Sequence, residues 1–167
     1  TFSTTGLEIP AHADAQFLLY NAAGRYAFYY DTTYRQSAWV AYTLTREDVR
    51  TRNAQRRNRF YSDATVRGLG WAYATDRDYA RTGYDRGHLL PSADRNGTQA
   101  ENDATFCLSN IAPQHPAPNR RVWTPLAARL PRIPAWPYTF LIAPTGALPP
   151  PLPRIRAPWP GVPTASP

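Results

Sequence analysis

The chain has no lysine and no methionine, a single cysteine, and no acidic residue beyond Asp103. One cysteine excludes an intrachain disulfide. Cys107 stands between Phe106 and Leu108, in a run that suits a small buried apolar residue, and no adjacent base marks it as a nucleophile. Without lysine, all 19 basic residues are arginines. Arginine binds phosphate oxygens bidentately, although coding bias accounts for such a composition equally well. No apolar run approaches the ~20 residues that a membrane-spanning helix needs. The missing late acids polarise the chain. Residues 1–103 carry 13 arginines against 12 acids, a net charge of +1, and the remaining residues carry +6 of the total +7. Such a surface favours polyanions and salt-sensitive binding without separating an enzyme from a binding protein.

What remains suits one domain: 167 residues, 43% of them hydrophobic and 13% aromatic. Residues 1–6 form a small polar lead-in, and Leu7 to Pro10 reads as an edge segment stopped by proline. Residues 25–30 (RYAFYY) and 38–45 (AWVAYTLT) read as strands joined by a turn at residues 31–33. Their aromatics fit sheet packing better than a stacking platform for bases. Thr45 with Asp48 begins a short helix. Arginines crowd residues 50–59, which usually marks a solvated face. The spacing predicts a strand over 86–90 ended by Pro91, a turn at 94–97, a capping box from Thr98 to Glu101, and a strand over 106–111. Asn119 is placed as the cap of a further helix.

One stretch concentrates the chemistry. Residues 83–95 read GYDRGHLLPSADR, residues 105–114 read TFCLSNIAPQ, and residues 119–123 read NRRVW. A histidine beside an arginine and an aspartate places a proton-transfer group next to a phosphate-binding cation. Each residue alone reads as structural; the order and spacing together do not. With the words at 7–11, 39–45 and 78–84, this stretch resembles the DNA/RNA non-specific endonuclease family with the ββα-metal fold, over roughly residues 7–126.

The resemblance implies an α+β fold, with a mixed or antiparallel sheet and a ββα-metal element at about residues 84–126. It implies a metal-dependent nuclease that cuts DNA and RNA and leaves 5′-phosphate ends. His88 would be the general base and Asn119 would hold Mg²⁺, for which Mn²⁺ can substitute. Asn110 and Asp85 would fix the geometry, and Arg86 and Arg57 would meet phosphate, with Arg59 as the second choice for the latter position. His115 and His12 are read as surface histidines. The likeness to secreted bacterial nucleases implies a secreted or periplasmic protein, although no signal-peptide pattern opens the chain. Oligomeric state is left open.

The resemblance stops after Leu126. The family has glutamate next, where this chain has Ala127, and Pro125 falls where the Asn119 helix should continue. From Pro125 onward 13 of 43 residues are proline. Residues 1–126 are therefore read as the nuclease domain, and 127–167 as a departing tail with one strand at 138–146. The tail is either a disordered extension or an out-of-frame or truncated replacement. Two other functions stay open: a weak or inactive homologue that only binds nucleic acid, and a proline-rich ligand for aromatic grooves.

Overall fold

The computed structural model describes residues 14–125 and 138–142. The expectations for residues 1–13 and for the tail outside 138–142 lie beyond the described residues. Strands β1 (Leu18–Asn21), β2 (Tyr26–Asp31), β3 (Gln36–Leu44) and β6 (Tyr138–Ile142) form one antiparallel sheet in the order β1-β2-β3-β6. The expected tail strand is thus present, pairing Val40 with Ile142 and Leu44 with Tyr138. Tight connections join the first three strands. Gly24 and Arg25, the latter at φ 54°, close the β1–β2 turn. The Asp31 carboxylate accepts from the backbone N–H groups of Thr33 and Tyr34 in the next.

The aromatic strands build the core. Tyr26, Phe28 and Tyr30 of β2 and Val40, Tyr42 and Leu44 of β3 are buried and pack on Val66, Leu89, Leu90 and Ala112. Alternating positions on paired strands place these side chains on one face, as the packing reading expected.

A second, two-stranded antiparallel sheet pairs β4 (Asp85–His88) with β5 (Ile111–Gln114). Three short helices precede it: α1 (Arg46–Arg50), α2 (Ala64–Gly68) and α3 (Asp76–Tyr79). Thr45 and Asp48 form the anticipated capping box of α1, and Thr98 and Glu101 that of α4 (Gln99–Ala104).

Three sequence expectations shift. The segment 106–111 is not a strand: a tight turn spans Leu108–Asn110, and the strand runs through Ile111–Gln114. The Asn110 N–H closes back on the Cys107 carbonyl, which bends the chain there. Pro113 lies within this strand, because a two-stranded ladder leaves an unpaired edge for a residue without an N–H. Strand β4 stops at His88, and beyond it the Asn110 side chain serves Leu90 as a partner. Finally, Asn119 is not the N-cap that opens a helix. The helical segment α5 begins at Pro116, capped by His115, and continues through a wide i→i+5 turn over Asn119–Trp123. Pro116 and Pro118 lie in the first turn, where a missing N–H is harmless, so the helix starts earlier than the asparagine suggests. It remains helical through Pro125.

Candidate active site

The β4, β5 and α5 elements assemble the ββα unit around the DRGH segment. Gly87 is required by close approach: a Cβ there would lie 2.0 Å from the Gln114 side chain, which crosses over it from β5. Trp123 on α5 donates its indole N–H to the His88 carbonyl at 3.1 Å, tying helix to strand. Asn119 Nδ2 donates to Asp85 Oδ2 at 2.9 Å. Asp85, Asn119 and His88 are thereby tied together through one strand and one helix.

His88 is buried on an aromatic floor. Its ring meets Phe106 edge-on at 4.8 Å and Phe60 at 5.9 Å. Burial, and then the positive charge of Arg56, push its pKa down from 6.5 to about 3. The imidazole is therefore neutral, as a proton acceptor must be. Among the described residues, Nε2 is buried without a hydrogen-bond partner.

The same rings carry two arginines. The Arg86 guanidinium lies 5.4 Å from the Phe60 centroid, and that of Arg56 lies 5.0 Å from that of Phe106. Arg86 is also held by Asp76, at 2.7 Å from Nε. Arg56 donates from Nη1 to the Ser92 hydroxyl and from Nε to Asn58 Oδ1 at 2.7 Å. Asn58 sits at φ 51°, the left-handed conformation asparagine tolerates, and this turn presents Arg56 to the site.

The expected residues fare differently. Arg57 faces away into an exposed ion pair with Asp103 at 3.2 Å, whereas Arg56 stands over the histidine's aromatic neighbour. The sequence pattern does not single out Arg56. Its signal was the spacing to Phe60 and Asp63, ambiguous among four nearby arginines because the register of an irregular loop has no period. Asn110 is fully buried. Its Nδ2 donates to the carbonyls of Leu90 and Thr105, and its Oδ1 accepts from the Leu90 N–H. It braces the end of β4 and does not face solvent. His115 is exposed, and its Nδ1 accepts from the Ala117 N–H.

Among the described residues no three His, Cys, Asp or Glu side chains converge as a metal cage. The donor set instead offers Asn119. With Nδ2 committed to Asp85, the amide presents Oδ1 as a neutral, hard oxygen. That fits Mg²⁺, which keeps most of its waters and accepts a single protein oxygen.

Comparison with known proteins matches this architecture. A family profile described as DNA/RNA non-specific endonuclease covers residues 12–126. A nuclease of Nostoc sp. is 40% identical over 59% of this chain and 35% of its own length. Human mitochondrial endonuclease G is 38% identical over 60% of this chain and 33% of its own. A solved EndoG/EndoGI complex contains a chain that superimposes with a TM-score of 0.61 at 32% identity, covering 69% of this chain and 46% of that one. The chain spans about a third of the length of these curated relatives. The mitochondrial nucleases among the relatives overturn the expectation of a secreted or periplasmic protein. With the ββα unit in place and the profile matching from residue 12 to residue 126, the chain belongs to the DNA/RNA non-specific endonuclease family.

Proposed function

We propose that this protein is a Mg²⁺-dependent endonuclease that hydrolyses phosphodiester bonds of DNA and RNA without sequence preference, leaving 5′-phosphate ends. The observation that carries the reading is a neutral, buried His88 flanked by Arg56 and Arg86 across two aromatic rings. His88 takes the proton of the attacking water, a role that contributes roughly 10²–10⁴-fold. Arg56, in preference to Arg57, and Arg86 meet the phosphate oxygens. Burial is the larger cause of the low His88 pKa; a bound phosphate offsets only the smaller one, the Arg56 charge. Asn119 would hold the cation through Oδ1, with Asp85 fixing the amide and Asn110 bracing β4. Bound there, Mg²⁺ or Mn²⁺ would supply positive charge to the phosphate and the leaving 3′ oxygen. A site built on arginines and one cation reads backbone, not base edges.

Ala127, at the position of the family's glutamate, favours a second reading: a weak or inactive homologue that binds nucleic acid without cutting it. Nicking of supercoiled plasmid at low salt, with Mg²⁺ or EDTA, separates the two. The nuclease reading expects metal-dependent nicking that His88→Ala abolishes. Folded protein that retains DNA in EDTA but never nicks would establish the second.

A further inference from the structure

Arg120 has no part in the mechanism above, yet its guanidinium lies against the carboxylate that touches Asn119. Asp85 Oδ2 accepts from Asn119 Nδ2 at 2.9 Å and from Arg120 Nε at 2.8 Å, and Oδ1 accepts from Arg120 Nη2 at 2.6 Å. This is the parallel two-bond fork that arginine makes with a carboxylate. It engages both Asp85 oxygens and cancels their charge next to the amide that would hold a cation. The arginine side of the fork is open to water: the Arg120 side chain is 69% exposed and that of Asp85 17%. A fork so exposed is held weakly, so it can open without disturbing the helix.

Asp85 itself cannot move far. It lies on β4, paired with Gln114, and its Oδ2 is the acceptor that orients Asn119. Removing Arg120 would leave a bare carboxylate, a hard oxygen ligand with full negative charge, one hydrogen bond away from the Asn119 amide. Divalent Mg²⁺ and Mn²⁺ favour such oxygens.

We infer that Arg120 masks Asp85 and thereby holds down the affinity of the Asn119 site for a divalent cation. The site then carries a built-in limit on metal binding, set by one exposed guanidinium. This rests on the reading of Asn119 as the metal ligand.

Mn²⁺ binding to the full chain without nucleic acid, followed by the loss of the free-ion paramagnetic resonance signal, tests it. The variants are Asn119→Ala, Arg120→Gln, Asp85→Asn and the Asp85→Asn/Arg120→Gln pair, each checked for fold by circular dichroism. Arg120→Gln should tighten Mn²⁺ binding at least about tenfold, because it removes a unit positive charge a few ångströms from the ion and also frees both Asp85 oxygens. In the Asp85→Asn background the same substitution should tighten binding several-fold less, because the charge is still removed but no carboxylate is freed. Equal tightening in both backgrounds would make Arg120 a bulk charge effect and overturn the inference. Unchanged or weaker binding by Arg120→Gln would make it a strut and overturn it as well. Wild-type binding that Asn119→Ala leaves intact would instead remove the metal-ligand reading, and the inference with it.

Discussion

At the scale of single residues, the site depends on which of several equivalent side chains the fold selects. Arg56 and Arg57 are neighbours of identical type, but Arg56 reaches Ser92 and the Phe106 ring, and Arg57 reaches Asp103 at the surface. Arg56→Ala should lower the rate of plasmid cleavage about 100-fold, in the range found when one preorganised donor is lost. Arg57→Ala should change it by less than about threefold, since an exposed ion pair contributes little. Cys107 is the converse case of a reactive type made inert. Burial, then the nearby Asp63 charge, push its thiol up to about 12. The folded protein should resist alkylation by iodoacetamide at pH 8 and react only after denaturation. Equal labelling of folded and unfolded protein would contradict that placement.

At the scale of elements, one buried arginine joins the four-stranded sheet to the loop after β4. Arg95 is fully buried. It donates to the carbonyls of Gly24, Arg25, Thr43 and Asp94, and its guanidinium lies 5.3 Å from the Tyr42 ring centroid. The same loop carries Ser92, the hydroxyl partner of Arg56. Asn102 of α4 reinforces it by donating to the Ser92 and Arg95 carbonyls. Arg95→Ala should destabilise the protein by about 3–5 kcal/mol, because four carbonyls lose their donor in a dry interior. Urea denaturation measures this, and a loss below about 1 kcal/mol would show that water replaces the guanidinium. The sequence marked this segment only as a turn. A turn residue's side chain can point anywhere, so its burial could not be read from the local pattern.

At the scale of the whole molecule, two buried groups titrate in opposite senses. His88 has its folded pKa lowered from 6.5 to about 3, so the unfolded chain binds more protons between those values and stability rises with pH there. Asp94 has its folded pKa raised from 3.8 to about 6, chiefly by burial, so the folded chain binds more protons and stability falls as pH rises through that range. The two nearly cancel between pH 4 and 6. His88→Gln should therefore leave a stability that falls with rising pH across that window, and Asp94→Asn one that rises. Each slope approaches at most about 1.4 kcal/mol per pH unit. Urea midpoints at several pH values in EDTA check both signs, and slopes of the same sign in the two variants would refute the assignment.

The sequence alone determined the α+β class, the aromatic strands of the main sheet, the capping boxes at Thr45 and Thr98, and the gathering of Asp85, His88, Asn110 and Asn119 into one neighbourhood. These are carried by short-range patterns: alternation in strands, three-residue spacing in caps, and motif residues brought close by a single hairpin-like unit. Only the tertiary structure decided which arginine faces His88, that Asn110 braces a strand end, that the helix of Asn119 begins at Pro116, and that Arg95 is a core residue. Each depends on contacts between segments tens of residues apart, and no local period encodes which side chain a distant segment will meet. The Asp85–Arg120 fork lies between these limits. Both residues were visible inside the motif region, but only the packing of α5 against β4 brings their charges together.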